Sequence, residues 1–140
     1  MLLDELKKAN IQAMKDKNTI ARSVYSVVIT RCQLALVELR AKNQDLTDNN
    51  VLEIIQKVMK ELSDEKAGYE KVGNVEKANI ITEQTQIIAS YLPKQLTRDE
   101  IIAEINTLSD KSVPSVMKHF KANFAGKVDM SLVSQIARGL

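Results

Sequence analysis

Val24-Tyr-Ser-Val-Val-Ile-Thr-Arg-Cys-Gln-Leu-Ala-Leu-Val-Glu-Leu-Arg40 decides the fold class of this chain. Its first seven residues, Val24 to Thr30, are mostly β-branched or aromatic and would suit a strand. The apolar pattern nevertheless continues to Arg40, too long a run for a strand, and its spacing is helical. Ile20, Val24, Val27, Val28 and Ala35 make one apolar face. Tyr25, Ile29, Cys32, Leu36 and Leu39 make another. A helix apolar on two faces is a central helix, covered by neighbours on both sides. This reading makes the chain all-α.

Working outward, Leu3, Leu6, Ala13 and Met14 predict a first helix over roughly residues 2–16. Ala41 to Leu46 is a polar connection, and Thr47-Asp48-Asn49-Asn50 offers N-capping side chains. Val51, Ile55, Val58, Leu62 and Tyr69 carry a third helix to about Val72. Gly73-Asn74 then breaks it, since both residues tolerate the left-handed C-cap. Ala78, Ile81, Ile88 and Leu92 carry a fourth, so residues 47–92 read as a long helical hairpin.

Pro93 is the clearest boundary, because proline disfavours helix at the residue before it and donates no hydrogen bond. Thr97-Arg-Asp-Glu100 matches a capping box, with Leu96 and Ile101 placed as its hydrophobic staple. Ile101, Ile102, Ile105 and Leu108 follow at helical spacing. Ser112-Val-Pro114 starts a short helix with Val116, Met117, Phe120 and Phe124, ended by Gly126. Asp129 can cap a last helix with Leu132, Val133, Ile136 and Leu140. The expected plan is an N-terminal four-helix unit, residues 1–92, and a C-terminal three-helix domain, residues 93–140. The second has about 45 residues, near the lower limit for folding alone.

Composition narrows the function classes. The chain has 140 residues, of which 44% are hydrophobic and 27% charged, so it is neither a disordered tail nor a run of membrane spans. Four Gly and two Pro are too few for a many-stranded sandwich or barrel. One Cys and one His leave no disulfide framework, no CxxC zinc site and no HExxH. No metal, cofactor or catalytic residue is expected. The acidic start, with Asp4 and Glu5, does not suit a signal peptide, and the β-branched run Val24 to Ile29 is far short of the ~20 residues that span a bilayer. The expectation is a cytoplasmic protein with no membrane partner and with Cys32 as a reduced thiol.

Charge is uneven. Residues 1–92 are neutral, with 13 basic and 13 acidic side chains. From Lys111 onward, Lys111, Lys118, Lys121, Lys127 and Arg138 face Asp129 alone, which leaves a net +4. Lys118 and Lys121 are three apart and share a helix face. Lys127 follows Gly126 in a turn, and the next helix start adds oriented N–H groups, for which Asp129 would compete. These groups suit phosphates, although an ordinary solvated face would look the same. The polar face lacks aromatic residues for stacking single strands. His119, between Lys118 and Phe120, is either a surface helix residue or a support for anion binding. Cys32 on an apolar face reads as a small buried hydrophobe. Asp64-Glu65 looks like a solvated face, and Asp99-Glu100 is explained by a helix N-terminus.

The chain as a whole resembles the YqeY family, which is similar to the tail domain of the GatB subunit of glutamine-dependent tRNA amidotransferase. The resemblance is carried by Tyr91-Leu-Pro-Lys-Gln-Leu96, Tyr69-Glu-Lys-Val-Gly73, Gly126-Lys-Val-Asp129 and Leu132-Val133. It implies a helical bundle followed by a three-helix domain. It also implies contact with tRNA or another structured RNA, without the catalytic parts of the amidotransferase, a carbon–nitrogen ligase. Two positions depart from the family pattern. Val113-Pro-Ser-Val-Met117 stands where the family often has Met-Gly-Lys-Val-Met, and Val128-Asp-Met-Ser131 where it often has Ala-Asp-Gly-Lys. Both Gly-Lys pairs are absent. Only Gly126, Lys127 and Asp129 match the family at these positions; with the candidates taken from charge, the expected nucleic-acid contacts are Lys111, Lys118, Lys121, Gly126, Lys127 and Arg138. A protein-interaction module acting through the 47–92 hairpin is the alternative. An amidotransferase-related enzyme is a third reading, for which the sequence offers neither a nucleophile nor an ammonia-handling site.

Overall fold

The structure, a computed structural model, describes residues 1–139. Leu140, expected on the last helix, lies outside the described residues. Among the described residues there are seven helices and no strand: α1 Leu2–Lys15, α2 Thr19–Ala41, α3 Asp48–Lys71, α4 Val75–Ala89, α5 Arg98–Asn106, α6 Val113–Asn123 and α7 Met130–Gly139. The chain divides into two compact units at Tyr91–Leu92.

In the first unit α2 packs against α1, α3 and α4, and α3 packs along α4. Its core is built from Leu6, Val24, Val28, Cys32, Val51, Ile55 and Ile88, all buried. The strand-like Val24–Thr30 run is helical because its side chains extend one continuous stripe against three neighbours, and tertiary burial outweighs local preference. Two side chains expected on apolar faces are not inside. Met14 is 50% exposed and Val27 is 42% exposed. The packed side of α2 is centred on Ala21, Val24, Tyr25, Val28 and Cys32, and Val27 falls outside that arc. Helix α2 is also long and apolar enough, by length and composition, to cross a bilayer, unlike the short β-branched run within it. Here it is packed against three helices, and its Arg31 pairs with Glu61 of α3.

Local signals set the ends. Thr47 caps α3 reciprocally with Asn50. Gly73 adopts φ +75 and closes α3, while the Asn74 side chain starts α4 by accepting from the Lys77 N–H at 3.2 Å. Tyr91, beyond α4, is tied back to α2: its hydroxyl lies 3.1 Å from that of Tyr25, with the rings edge to face. Burial and this hydrogen bond push the Tyr91 phenol well above its ordinary range.

In the second unit α7 packs against α5 and α6. Ile101, Ile105, Val116, Phe120, Val128, Val133, Ile136 and Ala137 form its buried core. The Thr97–Glu100 capping box forms, with Glu100 N–H donating to Thr97 Oγ1 at 3.2 Å and Thr97 N–H to Glu100 Oε1 at 3.0 Å. Leu96 packs against the same core as Ile101. Thr97→Ala should cost about 1 kcal/mol, measured as a lower thermal midpoint.

The Thr97 N–H and hydroxyl hold the Glu100 carboxyl below its ordinary 4.5. A carboxyl with a lowered folded-state pKa stabilises above its unfolded value and loses that contribution as pH falls through the folded value. The second unit should therefore weaken on acidification below about pH 4.5. Glu100→Gln should flatten that acid limb while leaving the cap geometry in place. A pH–stability curve unchanged by Glu100→Gln would remove the carboxylate from this account.

Candidate nucleic-acid interface

The basic residues of the second unit sit on α6, on the turn after it and on the far end of α7. Helix α6 buries Val116 and Phe120 and leans Val113, Met117 and Phe124 on the core. Lys118 and Lys121 lie on the opposite side of the helix and are exposed. Three residues apart, they are separated by about 60° around the helix, so both face solvent on one side. Lys111 is exposed just before α6, and Lys127 is exposed in the turn between α6 and α7. Arg138 is exposed in the last turn of α7. None of these five cations is paired with a carboxylate among the described residues.

They are not all together. Residues 124–129 join the end of α6 to the start of α7, so Lys121 and Lys127 lie at the same end of that helix pair. Lys111 lies at the far end of α6, and Arg138 about 12 Å along α7 at 1.5 Å per residue. Lys121 and Arg138 also occupy helix C-terminal turns, where the helix dipole favours a cation without any ligand.

The turn that presents Lys127 is held by a clasp. Gln95 Nε2 donates to the Gly126 carbonyl at 2.6 Å, and the Leu96 N–H to the Lys127 carbonyl at 2.8 Å. Gly126 is buried with φ +75, a conformation that L side chains avoid. The clasp also brings Lys94, exposed and one residue before Gln95, to the backbone of the Gly126–Lys127 turn. Spacing and charge counts along the chain do not point to Lys94. The available signal was the position of Lys94 inside Tyr91-Leu-Pro-Lys-Gln-Leu96.

A carboxylate stands near each of the three helix starts in this unit, although no side chain caps the first-turn N–H groups of α6. Glu100 and Thr97 close α5. Asp110 accepts from the Ser112 N–H at 3.0 Å and the Ser115 hydroxyl at 2.7 Å, which holds its carboxyl below its ordinary 3.8. Asp129 accepts from the Ser131 N–H at 2.9 Å, the competition expected at the α7 start. The α7 start is thus met by a carboxylate, while Asp110 reaches only the residue before α6 and the Ser115 hydroxyl. His119 is half-buried and engaged inside the unit. Its Nε2 lies 2.8 Å from Glu104 Oε1 on α5, and its ring packs edge to face on Phe120. It ties α6 to α5 rather than lending a hand to an anion.

Nucleophilic chemistry has little support. Cys32 is buried in the first unit, and desolvation pushes its thiol up to about 11, which suppresses the reactive thiolate. Among the described residues no group of His, Cys, Asp and Glu converges as a metal site.

The Tyr91–Leu96 junction, clasped to Gly126-Lys127, is the feature with the most specific sequence. The family described as Yqey-like protein has a sequence model that matches residues 3–140. The chain belongs to the YqeY family. The match covers both units, so the junction, the clasp and the basic α6–α7 face all fall within the YqeY-matched region. No curated protein matches this YqeY chain.

Proposed function

We propose that this YqeY protein is a non-catalytic helical adaptor that contacts structured RNA, tRNA first among the candidates. It would do so through its C-terminal three-helix domain, in a four-plus-three arrangement of helices. The observation that carries this reading is the exposed, carboxylate-free set Lys118, Lys121 and Lys127, set on a rigid core and a clasped turn. Lysines on a convex helix face suit phosphates rather than base edges, and duplex RNA is recognised mainly by shape and backbone. A cytoplasmic location goes with this reading.

Binding of unfractionated tRNA, titrated against salt, tests it. By the duplex relation of about 0.9 per contact, three phosphate contacts give a log–log slope of about 2.7, and hence about a 40-fold loss of affinity on a fourfold rise in salt. Lys118→Ala with Lys121→Ala should lower the slope by roughly 1.8. An unchanged slope in that double variant removes both residues from the interface, and no binding at low salt removes the RNA reading.

A second reading has its own observation. Val72 and Val75, at the tip of the α3–α4 hairpin, are 77% and 65% exposed. A protein partner docking there would hold on at salt concentrations that strip RNA. Val72→Asp should abolish such docking and leave tRNA binding alone.

A further inference from the structure

Helix α2 turns a second apolar stripe to solvent, away from the core. Val27, Thr30, Leu34, Val37 and Ala41 recur at alternating spacings of three and four, the spacing by which two helices interlock. All five are exposed, Leu34 to 61% and Val37 to 67%. No helix of the first unit covers this side: the buried residues of α2 are Ala21, Val24, Tyr25, Val28 and Cys32, on the opposite arc. Single exposed apolar residues need no explanation, but a stripe at interlocking spacing is a packing surface without its counterpart.

The charges beside the stripe select what fits it. Arg31 and Glu38 flank one side, seven residues apart, and Gln33 and Arg40 flank the other. In an antiparallel pair of α2 helices with its two-fold axis between Ala35 and Leu36, Leu34 packs on Val37 of the second copy, and Thr30 on Ala41. The flanking positions then meet their own kind: Arg31 faces Glu38 of the second copy, twice by symmetry, and Gln33 faces Arg40. In a parallel pair Glu38 would meet Gln33 and Arg31 would meet Ser26, with no ion pair. Arg31 also binds Glu61 of its own chain, yet its guanidinium has five donors and its side chain is 37% exposed, enough for a second carboxylate.

We infer that α2 is a self-association surface, on which two copies of this chain pair antiparallel through Leu34 and Val37. The two-fold makes the interface closed, so it yields dimers and not filaments. The surface is one helix wide and buries less than the ~1,200 Å² of a stable complex, so the dimer exchanges with monomer.

Sedimentation velocity on the full chain, from about 10 µM to about 1 mM, should show a mass rising from 15.7 kDa toward twice that value. Leu34→Lys should hold the chain monomeric throughout. Because Leu34 is solvent-exposed, circular dichroism of that variant should match the parent. Glu38→Lys sets like charges opposite Arg31 in two places and should weaken dimerisation about tenfold. Geometry is read by disulfide trapping in a Cys32→Ala background. Leu34→Cys and Val37→Cys variants should cross-link when mixed, and neither should do so alone. A monomer at every concentration, a dimer indifferent to Leu34→Lys, or cross-linking of Leu34→Cys with itself would each overturn the inference.

Discussion

Phe120→Ala unfolds the C-terminal unit while Met1–Tyr91 stays folded. Phe120 is fully buried among Ile101, Ile105, Val116, Val133 and Ile136, and its ring sits 5.4 Å from that of Phe124 and 5.6 Å from that of His119. Removing a buried phenyl ring costs about 3–5 kcal/mol in lost transfer energy and cavity formation. A unit of roughly fifty residues, at about 0.05–0.15 kcal/mol per residue, has only about 2–7 kcal/mol in total. The substitution therefore removes most or all of its stability. In a two-dimensional amide spectrum of the full chain, signals from α5, α6 and α7 should collapse to random-coil positions while those of α1 to α4 persist. Retention of a native-like second unit would show that its core does not depend on this ring. The variant keeps every lysine, so its loss of tRNA binding would show that the charges act only when α6 and its following turn are held in place.

The second large effect is at Gly126. Its φ of +75 places it in the left-handed region, which costs an L residue about 1–2 kcal/mol and a β-branched one more. It is also buried, and its carbonyl is the acceptor for Gln95 Nε2. Gly126→Val should therefore destabilise the unit by about 2–3 kcal/mol, strain and a disturbed clasp together. Gln95→Ala, which removes only the donor, should cost about 1 kcal/mol. The pair should combine to less than their sum, because both act on one hydrogen bond. Denaturant titration of the four proteins measures this. Lys127→Ala should behave oppositely, with unchanged stability and a tRNA salt slope lower by about 0.9. Adjacent residues in one turn thus separate: Gly126 sets the backbone and Lys127 supplies the charge. Equal stability losses at both positions would merge the two roles.

These experiments bear on how the basic face works. Glu100, Asp110 and Asp129 stand at or just before the starts of α5, α6 and α7, so an anion approaching any of these starts meets a carboxylate. The phosphate contact proposed for the unit would rest on flexible side chains over a rigid core, which suits weak, salt-sensitive contact with a shaped backbone. The Gly-Lys pairs missing at Val113–Met117 and Val128–Ser131 point the same way.

What the sequence determined by itself lies within a turn or two of its own residues. The Thr97–Glu100 box, the break at Gly73, the Asp129 cap and the interior positions Ile101, Ile105 and Phe120 could all be read from spacing, because their partners are two to four residues away. The helical state of Val24–Arg40 was legible too, from pattern length. Tertiary structure alone decided the rest. Tyr25 meets Tyr91 across 66 residues, and Gln95 meets Gly126 across 31. His119 turns to Glu104 across 15 residues. Val27 and Met14 face water although their periodicity placed them inside. The physical reason is common to all of these. Spacing along a helix says which residues share a face, but only the neighbours packed around that helix determine which of its apolar faces is covered.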